Sequence, residues 1–389
     1  MSDDKAMRSS GPALAGVQFF FTLGWTVYAI YLPELLKNAG IAVGWLPWVL
    51  MADQLIFAAM DIAFGVVADR VADGYRKLAH LLLWLTTVSA GAFLLLPMLA
   101  GVSSGLLLAV LVIWVISASV VRAPTLVLLA KRASVAQQGP LVAWYAGGMA
   151  LASALSPFVG LALKGADPRL PFAISALALL AAVFVLLRVS GDKPAEPEGD
   201  ALPPISFSTY LPLLALLGLA TFGFQLHAFV NAGPLYLAHV SKETLPWLMP
   251  LLWLGFFTVL PGVGGLVKRV GALPVAVAGV LLTALSSYGA SVAGGLEWLV
   301  LMQLLAGAGW ALAFAGLMER ASADGTRGAE GLFMGSFFAV TAVSSFARIG
   351  FATQYLPALK DIQFVLPAAM LLATGLLSGL YAFYRRPAR

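Results

Sequence analysis

Residues 61–77 read Asp61-Ile-Ala-Phe-Gly65-Val-Val-Ala-Asp69-Arg70-Val-Ala-Asp-Gly74-Tyr-Arg76-Lys77. This stretch lies where a long apolar segment ends in a basic loop. A weaker copy is found in the second half of the chain, as Gly264-Gly-Leu-Val-Lys268-Arg269-Val270. The same offset carries Leu46-Pro47-Trp48 onto Leu245-Pro246-Trp247. Two matches at one offset predict two homologous halves.

The composition is that of a chain whose main solvent is the lipid bilayer. It is 61% hydrophobic and 11% charged, with a mean hydropathy of +0.93, whereas soluble domains carry about 25% charged residues. Because a helix needs roughly 20 apolar residues to cross the hydrocarbon core, the chain divides into about twelve spans. We therefore predict an all-α membrane protein with about twelve transmembrane helices, divided between two pseudo-symmetric halves.

The longest polar stretch separates the predicted halves. Residues 190–208 are rich in proline and charged side chains, which is typical of a flexible linker. We predict an N-terminal bundle over residues 1–190, a cytoplasmic linker over 191–208 and a C-terminal bundle over 209–389.

The basic residues are distributed unevenly between the two sides of the membrane. Most of the 23 Lys and Arg residues lie in loops on the side of both termini. By the positive-inside rule both termini are expected to be cytoplasmic, in a plasma membrane and specifically a bacterial inner membrane. This distribution argues against a nucleic-acid partner, and the protein is expected to be a monomer in the bilayer.

The sequence lacks the residues that most enzymes and metal proteins need. It has no cysteine and three histidines, so no thiolate or transition-metal site is expected. No nucleophile motif, phosphate-binding loop or dinucleotide fingerprint is present. We therefore predict neither an enzyme nor a cofactor, and any transport must use an ion gradient or the gradient of the solute itself.

The loop after the second span has the features of a gate. Gly65 permits close approach of another helix, and Asp69 can meet a helix N-terminus or an arginine. Arg70 and Arg76 would anchor the loop in the cytoplasm. The interpretation is a latch between the two halves; the alternative is an ordinary basic loop that only sets topology.

The order Gly65-x-x-x-Asp69-Arg70, followed by Gly74 and Arg76-Lys77, resembles the signature of the major facilitator superfamily. The segment between Arg70 and Gly74 is longer than in that signature. With Asp61 four residues before Gly65, the loop also resembles that of glycoside–pentoside–hexuronide cation symporters, although their Pro and Thr are missing. The superfamily resemblance implies two six-helix bundles, a central cavity and alternating access.

Four ionisable residues lie inside the predicted spans, where each needs a partner or an aqueous cavity. Counting about 1.5 Å per residue places Asp61 of the second span level with Arg122 of the fourth. The same count places Asp53 level with Arg348 of the eleventh span. Two opposite-charge pairs are therefore predicted, one within the N-terminal half and one between the halves.

Each pair has alternative interpretations. Asp61 could couple transport to protons, because protonation of Asp61 would free Arg122. Asp53, on the same span, is a second candidate for this coupling. Alternatively, the pair of Asp61 and Arg122 only fixes helix packing. Arg122 also resembles the fourth-span arginine of drug:proton antiporters. Arg348 could close a gate with Asp53, bind an anionic substrate, or serve packing alone.

Further polar and aromatic residues fall on spans that line the cavity in the superfamily. Such side chains could contact a substrate, or they could be packing and interface residues. A lone membrane histidine could exchange protons or only satisfy a neighbour. The candidates are Gln18, Thr22, Trp25 and Tyr28 of the first span, Gln225, His227 and Asn231 of the seventh, and Gln303 of the tenth.

These observations predict a secondary active transporter of a small organic solute, driven by protons through symport or antiport. Arg122 and Arg348 at cavity depth favour an organic anion or a zwitterion. One alternative is a proton-driven exporter of amphipathic or drug-like compounds. An alternative of another class is a membrane receptor or assembly partner that transports nothing.

Overall fold

The structure, a computed structural model, describes residues 2–70, 75–130, 135–190, 207–325 and 329–384. Within these ranges the chain consists of helices and short connections, and contains no strand. Twelve helical segments are long and apolar enough to cross a membrane. In chain order they are α1 Ser2–Asn38, α2 Leu46–Arg70, α3 Tyr75–Leu99, α4 104–130, α5 Val135–Ala162, α6 Arg169–Val189, α7 207–237, α8 Leu245–Val270, α9 Ala272–Ser291, α10 Leu296–Gly325, α11 Glu330–Gln354 and α12 Leu366–Tyr384.

The predicted fold class is confirmed: this is a helical membrane protein, and its described residues include twelve segments long and apolar enough to span a bilayer. The linker prediction over 191–208 falls almost wholly on residues 191–206, which lie outside the described residues. The first helix of the second half begins at Phe207.

Within each half, the helices pack against one another. In the first half α1 lies against α5 and α6, and α3 lies against α4 and α6. In the second half α10 lies between α8 and α9, and α7 lies against α11 and α12. The halves meet most extensively along α2 with α11 and along α5 with α8. These two contacts are related by the sequence repeat, since α8 is the counterpart of α2.

Helix α4 is interrupted just before a proline. It consists of Ser104–Ala118, a 3₁₀ turn Ser119–Val121, and a second helix Ala123–Ala130. Pro124 has no N–H to donate to the carbonyl four residues earlier, so the regular bonding pattern fails there. One residue further on, the Val121 carbonyl accepts the Thr125 hydroxyl at 2.6 Å and the Gln18 amide at 3.0 Å. The interruption holds Arg122 at a bend in the middle of the span.

Helix α7 contains a second irregularity. Leu226–Asn231 form a π-helical turn between Phe207–Gln225 and Ala232–Leu237. Pro234 removes one backbone donor just beyond this turn, and π turns inside helices occur frequently at functional sites. The wide turn carries His227 and Asn231, and Gln225 immediately precedes it.

Candidate transport site

Helices α2 and α11 pack at backbone contact at the end of the molecule where α2 ends and α11 begins, here called the Asp69 end. A methyl group on Gly65 would overlap the Gly331 carbonyl, and one on Gly331 would overlap the Gly65 carbonyl. One turn away, a side chain at Gly335 would overlap the Asp61 carbonyl. Gly65 therefore has the close approach that its sequence position predicts, and the neighbouring helix belongs to the other half.

Asp69 caps the first turn of α11 from the opposite half. Its Oδ1 accepts the Gly331 N–H at 2.6 Å and its Oδ2 accepts the Leu332 N–H at 2.9 Å. Ala329, the residue at the N-cap of α11, provides no side-chain cap of its own. A carboxylate at this position satisfies two otherwise unpaired donors and lies at the positive end of the helix dipole. The expected partner of Asp69 was a helix N-terminus or an arginine, and in the structure it is the N-terminus of α11.

Replacing Asp69 by alanine is expected to weaken closure of the Asp69 end. Loss of a helix cap costs about 1 kcal/mol, so the ratio of closed to open molecules should fall roughly five- to tenfold. Because the chain has no cysteine, spin labels on Lys77→Cys and Val270→Cys can report this distribution directly. Asp361→Ala removes an exposed aspartate and should leave it unchanged. An unaltered distribution in Asp69→Ala would refute the latch.

The structure gives less information on Arg70 and Arg76, the two arginines predicted for the gate at the Asp69 end. Arg70 is exposed at the last turn of α2. Arg76 is the second residue of α3, but its side chain lies outside the described part of the chain. Their gating role therefore stays a prediction.

Asp61 and Arg122 form the ion pair expected from their depths. Arg122 Nη1 lies 2.9 Å from Asp61 Oδ2. The Asp61 side chain is fully buried, and the Arg122 side chain is 14% exposed. Asp61 Oδ1 has no hydrogen-bond partner among the described residues. A buried pair of this kind tolerates the loss of neither partner.

Arg122 also reaches the other half of the molecule, which the sequence did not indicate. Its Nη2 donates to the Phe338 carbonyl at 3.3 Å and to the Thr341 hydroxyl at 3.1 Å. The guanidinium lies 5.1 Å from the Phe338 ring centroid and 5.3 Å from that of Phe57, both within cation–π range. The Asp61–Arg122 pair is therefore an interaction between the halves as well as within one.

The predicted pair of Asp53 and Arg348 is not formed, and that expectation is corrected. Asp53 Oδ2 accepts the Tyr28 hydroxyl at 2.6 Å within its own half. Arg348 Nε donates to Gln225 Oε1 at 3.1 Å within the other half. The predicted match in depth is nevertheless correct. Gly350, two residues after Arg348, lies beside Met51, two residues before Asp53: a Cβ on Gly350 would lie 3.3 Å from Met51 Cε. The helices touch at this level, but the two charged side chains turn away from each other.

The polar and aromatic stripe of α1 is occupied by contacts within the first half. Gln18 and Tyr28 are buried, and Gln18 is used by the α4 interruption described above. Trp25 stacks on Trp114 with ring centroids 5.6 Å apart, and Tyr28 lies 4.6 Å from the same ring. Thr22 is partly buried. Gln18 and Tyr28 are thus structural in this conformation, whereas Trp25 and Thr22 remain partly accessible.

His227 and Gln303 belong to a buried hydrogen-bond network of the second half. His227 Nε2 lies 3.1 Å from Gln303 Oε1, and its Nδ1 lies 2.9 Å from the Ser287 hydroxyl of α9. All three residues are buried. Asn231 donates to the Gln363 carbonyl at 2.8 Å, which ties α7 to the connection before α12. In this conformation these hydrogen bonds stabilise the second half, while Gln303 Nε2 is buried without a partner among the described residues.

Arg348 and Gln225 form a separate polar cluster with an aromatic wall. Gln225 Nε2 donates to the Ser345 hydroxyl at 3.0 Å, and the Arg348 guanidinium lies 5.1 Å from the Phe229 ring centroid. Phe229 is 54% exposed, and its ring also neighbours Trp253 of α8 at 6.2 Å. This face of α7, between α8 and α11, offers a cation beside exposed aromatic surface.

Sequence reasoning missed the partners supplied by α11. Thr341, Ser345 and Arg348 follow one another at spacings of four and three, so they share one face of the helix. That stripe is visible in the sequence and could have added Thr341 and Ser345 to the candidates beside Arg348. It does not identify Gln225 or Arg122 as their partners. Ser287 carries no such signal, since its role depends on where α9 packs.

Two six-helix bundles joined by paired glycine contacts, with buried charges between them, are the architecture of a membrane transporter. The sequence matches the family model described as Major Facilitator Superfamily over residues 14–348. The chain therefore belongs to the major facilitator superfamily.

Solved structures share this fold at low sequence identity. The human organic anion transporter MFSD10 (TETRAN) superposes with a TM-score of 0.74 at 16% identity, covering 96% of this chain and 99% of that chain. The transporter FucP in its outward conformation gives 0.71 at 13% identity, covering 98% and 100%. A variant of the E. coli fucose:proton symporter FucP gives 0.68 at 14% identity, covering 97% and 98%. No curated protein matches the chain by sequence.

Proposed function

We propose that this protein is a secondary active transporter of a small organic anion or zwitterion, coupled to protons and working by alternating access. One observation carries the proposal of an anionic group. Arg348 is a permanent cation at membrane depth that has no carboxylate partner among the described residues. A charge in that position needs a counter-charge or water, and an anionic substrate would supply the counter-charge. MFSD10, similar in fold, is described as an organic anion transporter, which supports this choice.

Proton coupling would run through the buried carboxyl groups of α2. Asp61 and Asp53 are both buried, and a buried carboxyl group that gains or loses a proton changes the charge balance of its surroundings. Uptake of a proton by Asp61 would free Arg122, whereas Asp53 could accept a proton without breaking an ion pair. FucP, described as a fucose:proton symporter, supports the choice of the ion.

Alternating access would use the contacts at the two ends of the interface between the halves. At the Asp69 end, Asp69 and the glycine contacts hold α2 against α11. At the other end, Met51 lies against Gly350, and Phe158 lies 5.0 Å from Trp247 by ring centroids. Transport would require these two sets of contacts to open in turn.

Export of amphipathic compounds is a second candidate. Trp25 is partly exposed and packs on the buried rings of Trp114 and Phe57, with centroids 5.6 and 5.4 Å away. It would be the aromatic contact for such a compound on the first half. The direction of net movement under an imposed proton gradient distinguishes uptake from export. Ligand binding without movement in either direction would instead indicate the receptor class.

We also propose the orientation and location expected from the loops. Both termini would lie in the cytoplasm, because the basic loops lie on the side of the termini. The expected monomer in a bacterial inner membrane is part of the same proposal. A terminal reporter that is active only in the cytoplasm would test this orientation.

Arg348→Gln is expected to lower solute uptake by the purified protein in proteoliposomes. Removing a charged hydrogen-bond donor to an anion costs about 1.5–3 kcal/mol, or roughly tenfold to hundredfold in affinity. Arg348→Lys keeps the charge but loses the planar fork, so it should retain only part of the uptake. The measurement is initial uptake of a radiolabelled organic anion with and without a protonophore.

Arg169→Gln is the matched control, because Arg169 is an exposed arginine at the first residue of α6. Its uptake should equal that of the wild type. Equal uptake in Arg348→Gln and Arg169→Gln would overturn the assignment of Arg348 to substrate binding.

A further inference from the structure

The buried charges of the described helices do not balance locally. Asp61 and Arg122 neutralise each other at 2.9 Å. Arg348 and Asp53 each lie in a different half and have no oppositely charged partner among the described residues. Of these four residues at membrane depth, one cation and one carboxyl group therefore remain without an oppositely charged partner.

Asp53 lies in surroundings that disfavour a negative charge. Its side chain is 1% exposed, its Oδ2 accepts one hydrogen bond from Tyr28, and its Oδ1 has no partner in the described part of the chain. An ionised carboxylate buried with a single hydrogen bond costs several kcal/mol, whereas the protonated acid avoids this cost. In this conformation the neutral acid is the favoured form.

No neighbouring helix supplies a charge that changes this balance. From α1 the group facing Asp53 is Tyr28. On α11, Arg348 is turned toward Gln225, and on α4, Arg122 is engaged by Asp61. The protonation of Asp53 therefore depends mainly on its own burial.

Arg348 is prepared to receive an anion. Within the described residues its Nε alone makes a hydrogen bond, so both terminal nitrogens are left for a ligand. Gln225 is itself fixed by Ser345 at 3.0 Å, which holds the guanidinium in one orientation. The exposed ring of Phe229 beside it would cover an apolar portion of the same ligand.

We propose that Arg348 binds a monoanion with an apolar or aromatic portion while Asp53 carries one proton, so that the two cross the membrane together without net charge movement. This inference rests on the proposed transport function and specifies its substrate class and its proton site. With Asp53 neutral and Asp61 paired to Arg122, these four residues carry one uncompensated positive charge, that of Arg348, which one monoanion balances. When the halves separate, exposure to water would let Asp53 release its proton as the anion leaves.

The contacts of the two carboxyl groups make Asp61 a poorer proton carrier than Asp53. Protonation of Asp61 would leave Arg122 without a counter-charge, and breaking a buried pair in this way is strongly destabilising. Protonation of Asp53 breaks no ion pair. The two carboxyl groups of α2 thus have different roles: Asp61 holds the Arg122 contact between the halves, and Asp53 exchanges the proton.

The test uses the full chain in proteoliposomes and three radiolabelled probes. Para-toluenesulfonate is an aromatic monoanion that stays ionised, so it does not cross as a free acid. Gluconate is a monoanion without a ring, and meta-benzenedisulfonate is an aromatic dianion. We expect wild-type uptake in the order toluenesulfonate, gluconate, disulfonate. Uptake should respond to a pH gradient and not to a potassium diffusion potential.

Asp53→Asn is expected to lose about tenfold or more of the stimulation by a pH gradient, because the amide cannot carry the proton. It should keep exchange of toluenesulfonate for toluenesulfonate, which shows that it is folded, and its net uptake should become sensitive to membrane potential. Asp361→Asn, an exposed acid-to-amide control, should behave as the wild type.

The possible failures are distinguishable. If the wild type carries a probe but prefers the dianion, or responds to membrane potential, or if Asp53→Asn stays driven by the pH gradient, this inference is overturned while the transport function stands. If the wild type moves none of the three probes under either gradient, the proposed anion transport is overturned together with it.

Discussion

Asp61→Asn should reduce transport by about a hundredfold or more, because it leaves Arg122 as a buried cation without a counter-charge, a change that costs about 3–5 kcal/mol. Arg122 also holds Phe338 and Thr341 of the opposite half at 3.3 and 3.1 Å. The variant should therefore unfold at a lower temperature in detergent and show altered contact between α2 and α11. Initial uptake and thermal unfolding together measure this effect.

The double variant Asp61→Asn with Arg122→Gln separates charge from structure. Removing both partners of a buried pair is often neutral for stability, so thermal stability should recover toward that of the wild type. The ratio of protons to solute moved by this variant decides the role of Asp61. A ratio equal to that of the wild type would exclude Asp61 as the proton carrier, and a lower ratio would assign coupling to it.

Gly65→Leu should prevent closure of the Asp69 end. Even a methyl group at Gly65 would overlap the Gly331 carbonyl, and forcing larger groups into a packed contact costs about 1–3 kcal/mol or more. The population with this end closed should fall roughly tenfold to hundredfold, and transport should fall with it. Distances between spin labels at Lys77→Cys and Val270→Cys measure the population.

Gly265→Leu is the matched control on α8, the counterpart of α2. A Cβ on Gly265 would meet no atom within 4 Å, so this variant should keep both the closed population and transport. If Gly65→Leu and Gly265→Leu gave the same label distances, the glycine contact would not control closure.

The fold could be predicted from the sequence because it depends on segment length and hydropathy, which repeat along the chain. Segment length and hydropathy specify a spanning helix wherever they occur, and the offset between Gly65 and Gly264 marks the two halves. The pair of Asp61 and Arg122 was also predictable, because helical rise converts sequence position into depth. Depth alone sufficed there, since both side chains point into the same space.

Depth did not suffice for Asp53 and Arg348. Their helices touch at the expected level, but the rotation of each helix about its own axis turns Asp53 toward Tyr28 and Arg348 toward Gln225. His227 shows the same limit: its position in α7 suggested a cavity residue, and the packing of α9 makes it a partner of Ser287. Rotation is determined by side-chain packing against several neighbours at once, which no single segment encodes.

The amino-acid sequence by itself determined that the protein spans the membrane in two repeated halves, and it located the buried charges along the membrane normal. Only the tertiary structure decided which of those charges meet, that Arg122 reaches across to the other half, and that Asp69 caps α11. The reason is physical: hydrophobicity and helical rise are local and additive, whereas the partner of a polar side chain depends on helix rotation and on contacts between residues far apart in the chain.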